Sequence, residues 1–219
     1  MKNIRVKYIK EGKAKYISHL DMNRCMTRCL VGSRIPLWHT EGFNPHVFIT
    51  FALPLSLGYT GLAEYMDMRL LDEDMPYDEI KTRMNKHLPQ GIRVTDVYDL
   101  EMDPKQIDSA LFELDFPAAE NDIGKLETDI KKLLSQDKII VQKKSKSGMK
   151  DIDLKQYILS CEWECDKSGL KMTLVLPAGN TTNINPSLLL SAIENEHANE
   201  IFCLVTRKEL YCKDGSIFR

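Results

Sequence analysis

Ser18-His19-Leu20-Asp21-Met22-Asn23-Arg24-Cys25-Met26-Thr27-Arg28-Cys29-Leu30 organises the first half of this chain. Met22, Cys25, Met26, Cys29 and Leu30 recur at i, i+3, i+4, i+7 and i+8, the one-sided apolar stripe of an α-helix. Ser18, with Asp21 three residues on, is a capping-box pattern in which side-chain oxygens satisfy the orphan N–H groups of the first turn. The spacing predicts a helix over 19–32. Upstream, Ile4, Val6 and Tyr8 alternate with Arg5, Lys7 and Ile9, the period of a strand over 3–10 with one apolar face. Downstream, 33–46 reads as an irregular connection punctuated by Pro36, Gly42 and Pro45.

A mostly apolar strand is expected over 48–55, with Pro54 at its end or on an edge. Gly58 and Gly61 supply a turn, and 64–71 alternates as the next strand. Residues 76–88 form a second amphipathic helix through Ile80, Met84 and Leu88, stopped by Pro89-Gln90-Gly91. Residues 92–100 make a fourth strand. The order β-α-β-β-α-β is the ferredoxin-like unit, with two helices on one sheet face and the other face free.

After a linker at 102–108 the pattern recurs. Strands are expected at 110–117, 139–143, 157–164, 170–177 and 201–211. Helices are expected at 119–135 and 186–195, the last with Asn185 as cap and Pro186 in first position. The fold class is therefore α+β, with tandem ferredoxin-like domains built on antiparallel sheets. The first covers residues 1–103 and the second 104–219.

The chain has 219 residues, 43% hydrophobic and 28% charged, an ordinary globular composition. No apolar run reaches the roughly 18–20 residues of a membrane span. The N-terminus enters strand alternation without a signal-peptide segment, so the expected location is cytoplasmic. Six cysteines include no C-x2-C pair and no iron–sulfur spacing, and are read as reduced, inert thiols. Net charge is −2, yet residues 1–45 carry nine Lys/Arg against three Asp/Glu, and residues 46–103 carry five against eleven. Such a local basic surface suits contact with phosphate or an acidic partner.

Arg24 and Arg28 project opposite the apolar stripe as i, i+4 neighbours, with Asp21 placed to pair with Arg24. They read as a phosphate clamp, since guanidinium groups favour bidentate anion contact; an ordinary salt-bridged surface is the alternative. His19 stands in the first turn, where the positive end of the helix dipole favours anions and a neutral imidazole. Glu41-Gly42-Phe43-Asn44-Pro45-His46 joins polar side chains and one aromatic on a turn rigidified by proline, a composition suited to binding. Two imidazoles and a carboxylate, from His19, His46 and Glu41 or Asp21, match no recognised zinc spacing, and no metal is expected. Trp38, His39 and Phe43 would suit stacking of a flat ligand, although core packing is the commoner use of such rings. Five lysines between 143 and 155 would suit a phosphate backbone or a solvated hairpin tip. His87 and His197, isolated at helix ends, carry no weight in this reading.

Several of these residues form a familiar set. Tyr16-Ile17-Ser18-His19-Leu20-Asp21, Arg24, Arg28, Pro36-Leu37, Glu41 through His46, Phe51-Ala52-Leu53-Pro54-Leu55, Gly58 and Glu64-Tyr65-Met66-Asp67 resemble the bacterial radical-SAM-linked family, whose domain is DUF2344. Across the second half the resemblance rests on Ile152-Asp153-Leu154 and Asn185-Pro186-Ser187-Leu188-Leu189. Val47 departs from it, standing where a proline would follow the histidine.

The resemblance implies a protein found beside, or fused to, a radical SAM protein, near ribonuclease E/G and ribosomal protein genes. It implies an accessory module that binds RNA or presents a substrate in RNA- or ribosome-linked modification. The 4Fe-4S cluster and S-adenosylmethionine would sit on the partner, with no cofactor in this chain. Ser18, His19, Asp21, Arg24, Arg28, Glu41, Phe43, Asn44 and His46 would form the binding surface. A second possibility rests on fold-level analogy with CRISPR repeat-processing endoribonucleases. There, His19 or His46 would act as the base in metal-independent cleavage. A third is an adaptor that binds protein alone.

Overall fold

A computed structural model describes residues 1–145, 148–179 and 181–219. The chain divides into two compact units, Met1–Gln106 with Ile217–Arg219, and Ile107–Ser216. The class is mixed α and β, with antiparallel sheets and, among the described residues, four α-helices. None of these helices is long and apolar enough to cross a membrane.

The first unit runs β1 (Lys2–Lys10), α1 (His19–Ser33), β2 (Ile49–Phe51), β3 (Thr60–Leu70), α2 (Tyr77–His87) and β4 (Ile92–Asp99). β1 pairs antiparallel with both β3 and β4, and β2 pairs with the far edge of β3, giving the order β4-β1-β3-β2. Ile4, Val6 and Tyr8 of β1, with Met66 and Met68 of β3, pack on Met22, Met26 and Leu30 of α1 and on Ile80 and Met84 of α2. The helical period of α1 thus meets the two-residue period of the strands in one apolar layer.

Three expectations change here. The strand over 48–55 shortens to Ile49–Phe51, because Pro54 has no N–H to give a ladder. β3 begins at Thr60 and runs through Gly61, which lies in the strand and not in a turn. The third concerns the sheet face away from the helices, which is not free at its centre. Arg5 and Asp67 are direct partners across β1 and β3, and both are buried. The Arg5 guanidinium donates to both Asp67 carboxylate oxygens, at 2.6 and 2.8 Å, and to the Arg219 carbonyl at 3.1 Å. Phe218, fully buried, stacks under that guanidinium at 4.2 Å and meets the Tyr65 ring edge-on at 5.2 Å. Residues 217–219, which the sequence reading assigns to the second half, therefore cover the first unit's sheet.

The second unit runs β5 (Ile107–Pro117), α3 (Ile123–Ser135), β6 (Ile140–Ser145), β7 (Gly148–Asp153), β8 (Ser160–Cys165), β9 (Gly169–Pro177), α4 (Ser187–His197) and β10 (Leu204–Cys212). Its sheet has the antiparallel order β10-β5-β9-β8. Among the described residues β6 and β7 pair only with each other, so the strand expected over 139–143 belongs to an inserted hairpin and not to the main sheet. Lys146 and Ser147 of the expected lysine-rich tip lie outside the described residues. α3 starts four residues later than expected, where the Asp122 side chain accepts from Lys125 N at 3.1 Å. At α4, Asn185 Oδ1 accepts from Ser187 N at 2.9 Å, and Pro186 enters with helical torsions, as the sequence predicts. His197, at the end of α4, is buried and donates from Nδ1 to Asp129 of α3 at 2.7 Å.

Candidate functional site

α1 begins as its sequence dictates. Ser18 has extended torsions and its hydroxyl accepts from Asp21 N at 3.1 Å. The reciprocal half of the capping box takes another form, because the Asp21 carboxylate accepts from the Ser18 hydroxyl at 2.8 Å and from Arg24 at 3.1 Å. Those bonds, from Ser18 first and Arg24 second, hold the Asp21 carboxyl below its usual range. Ser18→Ala removes the cap and is expected to cost about 1 kcal/mol, read as a lower urea midpoint with unchanged slope.

α1 and α2 are stitched together at their C-terminal ends. The Cys29 thiol donates to Met84 O at 3.4 Å, Ser33 Oγ to Arg83 O at 3.3 Å, and Arg83 to Arg34 O at 3.3 Å. Gly32 lets the His87 ring lie against α1, since a Cβ there would stand 2.8 Å from His87 Cδ2. The stitching leaves an open depression of about 320 Å³ lined by Asp21, Arg24, Cys25, Arg28, Cys29 and His87. Arg24 and Arg28 are exposed on it. Arg24 is tied to Asp21, whereas Arg28 has no carboxylate within ion-pair distance among the described residues.

His87 is the member that sequence reading passes over. Its Nδ1 lies 3.0 Å from the Arg83 carbonyl, which only accepts, so Nδ1 carries the proton. The remaining expected residues form a separate feature. His39 bridges to Val47, Thr40 N donates to His46 O at 2.8 Å, and Phe48 N donates to Trp38 O at 3.2 Å. Within the expected irregular connection, the part from Trp38 onward is thus pinned as a hairpin tip. His46 Nδ1 contacts Thr40 Oγ1 at 3.0 Å and Asn44 O at 3.1 Å. Gly42 turns the chain at φ +123°, and Phe43 is fully exposed beside exposed Glu41 and Asn44.

None of residues 41–46 lines the α1 depression. His19, exposed at the start of α1, packs edge-on against Phe51 at 5.2 Å. Among the described residues no three His, Cys, Asp or Glu side chains form a metal-holding group, so His19, His46, Glu41 and Asp21 are not one ligand set. Trp38 is engaged by Phe48 at 5.5 Å and by the Arg69 guanidinium at 4.8 Å, which leaves its ring part of a local stack. In the second unit, Lys143 of β6 and Lys155, in the turn after β7, donate to the carbonyls of Asn183 and Leu134. The cysteines are free, and burial pushes the thiols of Cys29 and Cys161 up to about 11 and that of Cys203 to about 12, far from thiolate reactivity.

The fold and this surface define a two-unit α+β protein with a shallow basic groove on its first helix pair. The chain belongs to the DUF2344 family, described as an uncharacterized protein conserved in bacteria, whose pattern matches residues 3–186. No curated protein matches it. Among solved structures, an unknown protein from Galdieria sulphuraria is similar at 11% identity and a TM-score of 0.27. The match covers 93% of this chain and 98% of that one. At that level neither fold nor function transfers.

Proposed function

We infer that this chain is an accessory RNA- or substrate-binding protein that acts with a radical SAM partner in RNA- or ribosome-linked modification. The partner would hold the 4Fe-4S cluster and S-adenosylmethionine, and the pair would work in the cytoplasm. Each unit is read as ferredoxin-like, since each sheet places its first and third strands centrally, flanked by its fourth and second. The observation that carries the binding role is the pair of exposed guanidinium groups, Arg24 and Arg28, one helical turn apart on a concave surface. Arginine forks match phosphate oxygens bidentately, and among the described residues Arg28 makes no ion pair of its own, the carboxylate that feels its charge being Asp21, which bonds to Arg24.

Arg24→Ala and Arg28→Ala test this by RNA retention over a range of salt. Each is expected to weaken binding uniformly across sequences and to reduce the slope of log affinity against log salt by about 0.7–1. Retention and slope unchanged in both variants would remove this surface as the site. Affinity capture of the full chain with and without ribonuclease tests the partnership. A radical SAM protein recovered together with a defined RNA is the expected result.

A further inference from the structure

We propose that the groove between α1 and α2 distinguishes RNA from DNA: Arg24 and Arg28 take a backbone phosphate, and His87 Nε2 accepts a hydrogen bond from a neighbouring ribose 2′-hydroxyl. This rests on the RNA-binding reading above and adds to it the sugar that the site selects. A backbone carbonyl has lone pairs and no hydrogen, so the 3.0 Å contact to Arg83 O fixes the proton on His87 Nδ1. In the neutral ring Nε2 is then an acceptor.

A phosphate diester at neutral pH carries no hydrogen to give to that nitrogen. Two guanidinium groups, in contrast, offer only donors. The depression is thus lined by donors from Arg24 and Arg28 and, in the neutral Nδ1–H ring, by one imidazole acceptor, a set that suits a ligand with anionic oxygens next to a hydroxyl. Ribose places its 2′-hydroxyl beside the backbone phosphate, and that hydroxyl is the group by which a protein tells RNA from DNA. Deoxyribose leaves the acceptor unmet.

The ring is also held in place. Its Nδ1 is tied to α2, and its Cδ2–Nε2 edge passes over Gly32 of α1, where a Cβ would stand 2.8 Å from Cδ2 and 3.4 Å from Nε2. An acceptor fixed before the ligand arrives loses little freedom on binding. The floor beneath it, Cys25 and Cys29, consists of thiols that burial keeps protonated, so it adds no competing charge. Among the described residues Asp21 is the one carboxylate lining the depression, and it is engaged by Ser18 and Arg24.

The test is binding of the full chain to a randomised single-stranded RNA pool and to the matched 2′-deoxy pool at one salt concentration. RNA is expected to bind about 3–10-fold more tightly, the worth of one exposed hydrogen bond. His87→Leu should abolish that preference by weakening RNA alone. His87→Gln, whose amide oxygen also accepts, should keep part of it. Unchanged DNA affinity in both variants reports that the fold and the arginines are intact. Equal affinity of the unaltered chain for the two pools would overturn this inference and leave the RNA-binding reading standing. A preference that survives His87→Leu, or a variant that loses both pools equally, would also overturn it. Failure of the unaltered chain to bind either pool would overturn both readings.

Discussion

Asp67→Ala is expected to destabilise the protein by about 3–5 kcal/mol, the cost of leaving a buried guanidinium without its counter-charge. Arg5 has no solvent exposure, and two of its donors end on the Asp67 carboxylate at 2.6 and 2.8 Å. Shortening Asp67 leaves those donors dry, and a buried ion has no cheap alternative partner. The pair itself need not be worth that much. Desolvating both charges offsets most of their attraction, so the double variant Arg5→Met/Asp67→Leu should recover much of the loss. Urea unfolding of the two single variants and the double checks this. Single-variant losses below about 1 kcal/mol would mean that water reaches the guanidinium.

Phe218→Ala is the second large effect, also about 3–5 kcal/mol. The ring is completely buried, meets Tyr65 edge-on and lies 4.2 Å from the Arg5 guanidinium carbon. Its removal opens a cavity and withdraws a cation–π contact from an ion already short of solvent. Because Phe218 and Asp67 both serve Arg5, their substitutions should not add. A double-mutant cycle is expected to show a coupling of roughly 0.5–3 kcal/mol, and strict additivity would place the two in independent environments.

Much of the first unit is legible in the sequence, because what forms it is local. The stripe from Met22 to Leu30 and the Ser18 cap announce α1 within one turn of its end, and Pro76 and Gly91 bracket α2 and its exit. Legibility ends where the partner of an element is chosen far along the chain. A hairpin tip after 143 is legible in the lysine-rich stretch, but nothing near 139–143 says that this strand stands apart from the main sheet, since its alternation would suit either. Arg5 reads as a surface charge until Asp67 and Phe218 are seen beside it.

His87 is the same lesson at the candidate site. Arg24 and Arg28 share a face by helical spacing, but the histidine lines the same depression because α2 ends against Gly32, a tertiary fact. Conversely, residues 41–46 look like part of one constellation with α1 because they are near in sequence. Their hairpin hydrogen bonds close on themselves instead.

The return of residues 217–219 to the first unit has a consequence for the order of events in the cell. Synthesis proceeds from the N-terminus, and domains generally fold as they emerge. Residues 1–106 can form their helices and strands early, but the cover over Arg5 and Tyr65 arrives only after the whole second unit has been made. The Arg5 to Arg219 bond spans 214 positions and so forms by long-range closure. Until then the nascent chain lacks the Phe218 ring and the Arg219 backbone oxygen that meet Arg5 and Tyr65.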